Sequence, residues 1–401
     1  MPRYEGYVVA ADKYPIILDI GSAYTKCGFA RETGPRWIIS SEVKNSQTGK
    51  VTKLWDYKSP EELYLLFKEF LQQMYFKYVV ANPKERRVVI VESVVCPTVF
   101  RETLAKVLFH HFEIPSLIFV PAHLMSLFTL GITTALILDV GYNETAVLPV
   151  YEGVTLLRAW QGLPLGGHAI HRRIELGLME NGKIKVKGLD EVPLTTVLTE
   201  PLKESVFEDI KVRTCFVTTL ERGQKIQEHE ASKKLSSPVS VELPIPPHDI
   251  QYPLDGERIL TIPGYIREWA AEMLFEQDGE EQNVATIILD SILKCPTDVR
   301  VALAENIIVM GGTAMLPGFK HRLMTEIKLL LTQKRYANLP IKSIKFHNPP
   351  CKENYTAWLG AAIFGATDAI SKRSISREQF NQHGIPDWSD HNWDSSGKSL
   401  A

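Results

Sequence analysis

Residues 16–26 read IILDIGSAYTK, and residues 136–145 read LILDVGYNET. Each ends an aliphatic run on an aspartate, one spacer and a glycine: Asp19 with Gly21, Asp139 with Gly141. Short apolar runs bounded by turn formers fit strands buried on both faces. A glycine turn directly after such a strand lets successive backbone N–H groups point the same way, and such a nest binds phosphate oxygens. Beside the first turn Ser22 adds a hydroxyl and Lys26 a positive charge. Asp19 and Asp139 suit a Mg²⁺ held through its waters, because that ion dehydrates reluctantly. A later strand, NIIVMGGTAMLPGF (306–319), ends on Gly311-Gly312, where bare backbone lets a ligand come close. Asp, Gly and Ser are common turn formers, so each turn taken singly reads as a plain β-turn. The three together, two of them a domain's length apart, read as a nucleotide site built from two similar lobes.

The chain has 401 residues, which points to two or more lobes. Its 45% hydrophobic and 23% charged residues are ordinary for a globular protein. A net charge of −2 supplies no bulk field for nucleic acid or an anionic membrane. The basic run Lys84-Glu85-Arg86-Arg87 reads as a solvated turn. Five scattered cysteines form no CxxC pair, which speaks against a disulfide framework or zinc site. The first fifteen residues lack the apolar core of a signal peptide. Ser116 to Leu138 carries no charge and is long enough to span a membrane. Pro121, His123 and Gly131-Ile132-Thr133-Thr134 divide it, so a buried strand, helix and strand fit better than insertion.

Elsewhere strands alternate with helices, the pattern of an α/β fold. Residues 59–79 read as a helix, capped by Ser59 with Pro60 in its first turn. Residues 86–93 read as a strand and 98–113 as a second helix. Further helices are expected near 167–180, 201–213, 285–294, after 315 and after 355. Residues 181–200 read as a polar stretch, and 228–253, Pro-rich, as a surface loop. The tail 383–401 reads as polar, with Trp388 and Trp393 as possible anchors.

These stretches resemble the actin family over nearly the whole chain. DIGSAYTKCGFARETGPR (19–36) and LDVGYNETAVLPVYEG (138–153) are similar to its two phosphate loops. NIIVMGGTAMLPGFKHRLMTEI (306–327) is similar to its adenosine loop and helix, and YTAWLGAAIFG with ISREQFNQHG to its C-terminal helix and tail. The resemblance implies an actin-like fold, two duplicated RNase H-like α/β lobes around a nucleotide cleft, with the outer subdomain of lobe 1 truncated. Lobe 1 would be 1–135 with 346–382 packing back on it, lobe 2 would be 136–345, and 383–401 the tail. The implied nucleotide residues are Asp19, Gly21, Ser22, Ala23, Lys26, Asp139, Gly141, Gly167, Lys211, Gly311, Gly312, Thr313 and Met315, with Asp19 and Asp139 on Mg²⁺ through water.

Departures from the family pattern shape the expected activity. Ala122 stands where actins have a glutamine that positions the attacking water, and Ala146 where a histidine assists it. A methyl group cannot orient water, so in-line attack on the γ-phosphate loses its positioning. Tyr142 and Asn143 replace an acid and a glycine of the second loop, Ala23 replaces a loop glycine, Val212 a glutamate and Asn354 a lysine. The expectation is no enzyme: ATP–Mg²⁺ held as a structural ligand, hydrolysed very slowly or never. An empty cleft is the alternative, for which Tyr142 and Asn143 speak.

Between GPRWIIS and the helix at 59 the chain has only SEVKNSQTGKVTKLWDYK, where actins have a much longer insertion that contacts the next subunit. A head-to-tail filament needs two different faces on every subunit, so losing one ends growth. Within the family the resemblance is stronger to the branch at the pointed end of dynactin. Its implied partners are the filament of actin-related protein 1, the other pointed-end subunits and, indirectly, dynein, in the cytoplasm and cytoskeleton. Competing readings are a polymerising actin-like ATPase, a nuclear actin-related protein of chromatin remodelling, and a sugar kinase or chaperone of the same architecture.

Overall fold

The computed structural model describes residues 13–44, 49–188, 190–198, 200–233 and 243–386. Trp388, Trp393 and most of the expected tail, and 234–242 of the Pro-rich stretch, lie outside them. The chain divides into two compact units, one built from residues up to Thr133 and from Asn348 onward, the other from Thr134–His347.

The first unit carries a six-stranded sheet in the order Ile375–Ser376, Ser116–Pro121, Val88–Glu92, Ile16–Ile20, Tyr24–Phe29, Trp37–Ser40. The strands 16–20, 88–92 and 116–121 run parallel, and 16–20, 24–29 and 37–40 form an antiparallel meander. Strand 16–20 is buried except at Asp19, as its aliphatic run requires. The helix Pro60–Gln73 starts where Ser59 accepts a hydrogen bond from the Glu62 amide, and Pro60 sits at its first turn. It passes into a π-helical turn at Met74–Val79, and the helix Thr98–Lys106 into another at Val107–His111. The charge-poor segment folds as a strand, the helix Ala122–Phe128 and the strand Ala135–Val140. No helix among the described residues is long and apolar enough to cross a membrane.

The helix Thr356–Phe364 returns the chain's end to this unit. Trp358 is fully buried and donates from Nε1 to the Ile17 carbonyl at 3.2 Å. Gly360 lies against the Met125 carbonyl, where a Cβ would collide with backbone, so glycine permits this helix to touch Ala122–Phe128.

The second unit repeats the plan. Its meander is Ala135–Val140, Thr145–Tyr151 and Gln161–Leu163, and the first of these runs parallel to Ile307–Met310, which runs parallel to Phe346–His347. The registers coincide. Asp19 pairs across its hairpin with Lys26 and Ile20 with Thr25, while Asp139 pairs with Ala146 and Val140 with Thr145. A separate four-stranded sheet contains Glu191–Pro193, Lys183–Val186, Arg258–Ile262 and Ile250–Pro253.

The structure corrects two expectations. The stretch 181–200 is not merely polar: it holds two strands of that small sheet and the turn of helix Leu194–Val197. The supposed loop 228–253 begins inside the helix Leu220–Lys233 and ends in the strand Ile250–Pro253. That helix escapes sequence reading because it has only a narrow buried stripe, at Gly223 and Ile226 with Ser232, under charged residues. The Lys84–Arg87 run is also more than a solvated turn. Arg86 donates to the Tyr14 carbonyl at 2.8 Å and stacks over Phe29, and Lys84 pairs with Glu113 at 2.8 Å.

Candidate nucleotide site

In the first unit the hairpin register sets Lys26 opposite Asp19, and their charged ends meet at 3.0 Å. The turn between them closes with the Gly21 amide donating to the Tyr24 carbonyl at 3.1 Å. A Cβ on Gly21 would lie 2.8 Å from that carbonyl oxygen, which explains the glycine. Trp55 braces the turn, donating from Nε1 to the Gly21 carbonyl at 3.2 Å while its ring stacks on Phe100. The amides of Ser22 and Ala23 donate to no protein group among the described residues. Two adjacent free amides beside an ammonium are the donor set that a phosphate takes.

In the second unit the equivalent turn closes by the Gly141 amide to the Glu144 carbonyl at 2.9 Å. Its outer carbonyls are anchored. Gly141 O accepts from the Gly167 amide at 3.1 Å and from the Thr313 hydroxyl at 2.7 Å, and Tyr142 O accepts from the His168 amide at 2.8 Å. The amides of Asn143 and Glu144 meet no protein acceptor among the described residues. The Tyr142 ring lies 5.5 Å from those of His168 and His171. Gly311 adopts φ +99°, and a Cβ there would stand 2.6 Å from Asp139 Oδ1 and against the Val140 carbonyl. Gly312 opens on free space, with nothing within 4 Å of an added Cβ. Met315 closes the short turn Thr313–Met315 and is 40% exposed.

A third group of side chains joins these turns. Lys211, on the helix Glu204–Thr214, is buried, and its Nζ donates to Glu208 Oε2 at 2.6 Å. The same oxygen meets His171 Nε2 at 2.8 Å. A Cβ on Gly167, first residue of the helix Gly167–Asn181, would come within 3.1 Å of Lys211 Nζ and 3.0 Å of the Thr313 hydroxyl. Burial pushes the Glu208 carboxyl up, but His171 and Lys211 outweigh it and hold it down at about 2. A depressed carboxylate stabilises the fold above its ordinary value near 4.5 and loses that contribution as pH falls through the folded value. The advantage of the native chain over Glu208→Gln, on the order of 3 kcal/mol at neutral pH, is therefore expected to shrink as pH drops below about 4.5. Urea unfolding of both proteins along that pH series checks it.

Thus Asp19, Gly21, Ser22, Ala23 and Lys26 gather at one turn of the first unit. Asp139, Gly141, Gly167, Lys211, Gly311, Gly312 and Thr313 gather in the second. The free amides at both turns and the side-chain-free backbone at 311–312 fit an adenine nucleotide with its phosphates.

A profile of the family described as Actin matches residues 64–388. The chain belongs to the actin family. Its curated relatives include Actin-related protein 10 of Dictyostelium discoideum, 29% identical, with the match spanning 88% of this chain and 82% of that protein. The mixed α/β architecture with its repeated meander is the actin fold.

Against the actin pattern, Ala122 opens the helix Ala122–Phe128 and Ala146 faces Asp139 across the second hairpin. His123, next along, is 1% exposed, and burial pushes it down to about 4, which leaves it neutral. Trp55, His171 and Glu208 were missed from sequence. The spacing Glu204, Glu208, Lys211 along one helix face was a usable signal for the last two. Nothing marks Trp55 in sequence as a brace for a turn 34 residues upstream.

Proposed function

We propose that this chain is a non-polymerising, structural actin-related subunit. It caps the pointed end of dynactin's filament of actin-related protein 1, beside the other pointed-end subunits, and so serves dynein-driven transport in the cytoplasm. The capping reading is carried by the stretch between the strand Trp37–Ser40 and the helix Pro60–Gln73. Among its described residues the only regular elements are the strands of one small hairpin, Glu42–Lys44 with Val51–Lys53. Actins carry there the long insertion that meets the next subunit. A subunit without that face can still dock by its other face, and growth stops. The likeness to Actin-related protein 10 supports the dynactin assignment.

At the nucleotide site, Ser22 and Ala23 offer backbone amides and Lys26 its ammonium to phosphate. Asp19 and Asp139 suit Mg²⁺ through water, and Gly167, Lys211, Gly311, Gly312, Thr313 and Met315 surround the adenosine. ATP with its Mg²⁺ stabilises by mass action whatever state binds it. The alanines at 122 and 146 leave no side chain there to orient a water, so the ligand is kept and not cut.

Chromatography of nucleotide from gently purified protein is expected to yield ATP. ADP would overturn the inert-ligand reading, and no nucleotide would overturn binding itself. The assembly reading expects co-fractionation with dynactin; intact dynactin lacking the chain would overturn it.

A further inference from the structure

Lys211 and Glu208 form a donor–acceptor pair whose hydrogen-bonding capacity the protein leaves partly unused. Lys211 Nζ has three N–H groups and gives one, to Glu208 Oε2. Its side chain is only 8% exposed, and no other acceptor reaches it among the described residues. Glu208 receives both Lys211 and His171 on Oε2, so Oε1 accepts from no protein donor among the described residues, and the side chain is 21% exposed. The pair stands at the bare N-terminus of the helix Gly167–Asn181, where Gly167 leaves Lys211 Nζ and the Thr313 hydroxyl uncovered. A buried ammonium with idle N–H groups is costly unless something accepts from it.

A vicinal diol is the chemical complement of such a pair. One hydroxyl oxygen accepts from the ammonium, and the neighbouring O–H donates to the carboxylate. We propose that Glu208, with Lys211, reads the 2′,3′-diol of the ribose, so that the chain selects ribonucleotides over deoxyribonucleotides. The assignment rests on the nucleotide reading given above. Glu208 stays ionised throughout the physiological range, so the acceptor is always available. His171 holds the carboxylate from the side away from the free oxygen's lone pairs, acting as a positioning residue.

The test is competitive loading of the full chain with ATP against 2′-deoxyATP, and against 3′-deoxyATP, followed by chromatography of the retained nucleotide. The native chain is expected to favour ATP over each by roughly 10–100-fold, the effect of one hydrogen bond to a charged group. Glu208→Leu is expected to retain nucleotide and to bring both ratios close to one. Should that variant not fold, Glu208→Gln keeps length and packing and lowers the ratios in the same direction. Equal retention by the native chain, or unchanged ratios in the variants, overturns the diol assignment and leaves nucleotide binding standing. Retention of none of the three overturns the nucleotide reading and this inference with it.

Discussion

Replacing Arg322 by methionine is expected to lower the thermal midpoint by roughly 10 °C, a cost of about 3–5 kcal/mol. Arg322 lies on the helix Phe319–Leu330, and its side chain is fully buried. Its guanidinium meets Glu272 at 2.6 and 3.0 Å and Glu326 at 2.9 Å, and it packs over the Phe275 ring. Gln227 donates to Glu272 at 2.6 Å, so the network ties the helices Leu220–Lys233, Ile266–Glu272 and Phe319–Leu330 together. Burial pushes the Glu272 carboxyl up, and Arg322 and Gln227 pull it back only in part. Removing the cation would strand a carboxylate with no water, which costs more than the pair itself contributes. The double variant Arg322→Met with Glu272→Leu should therefore melt above Arg322→Met alone. Melts run with saturating ATP decide this. If Arg322→Met stays within a degree or two of the native chain, the network is not holding these helices.

Gly311→Ala is expected to abolish retained nucleotide and to cost about 2–5 kcal/mol in stability, from left-handed backbone strain plus overpacking. The added methyl would press on Asp139 Oδ1 and on the Val140 carbonyl, and backbone cannot yield as a flexible side chain can. Relief requires the strand end at Met310 to part from its register partner Asp139, one of the two acids assigned to Mg²⁺. Gly312→Ala is the informative control. Its φ is an ordinary −65° and its methyl would enter open space. That variant should melt like the native chain yet hold nucleotide less well, because the methyl fills room the ligand uses. Native-like nucleotide retention in Gly311→Ala would dismiss the close approach as a requirement.

Much of the fold was legible because its strands are aliphatic to the last residue before a turn. Ile16–Ile20 and Ala135–Val140 announce themselves, as does the double glycine after Met310. The helix 60–73 was readable from Ser59, Pro60 and its period. The helix Leu220–Lys233 was not, since its sequence is charged almost throughout and its buried stripe includes a glycine and a serine. Arg322 was equally hidden: an arginine in an amphipathic helix reads as surface until tertiary structure encloses it. At the site, the acids and glycines could be found from local grammar. The partners of Glu208 come from two helices, and which of its oxygens is spent is a matter of geometry no spacing reveals.

The connectivity of the two units also orders events during synthesis. The second unit, Thr134–His347, is continuous and has all its strands as soon as Phe346–His347 leaves the ribosome. The first unit is begun earlier and finished later, because Trp358 and the helix that seats against Met125 belong to the last seventh of the chain. Until then the Ile17 carbonyl and the face of Ala122–Phe128 that receives Gly360 wait uncovered. A message truncated just after residue 347 would yield a complete second unit joined to a first unit that cannot close, a product for chaperones and proteases to remove.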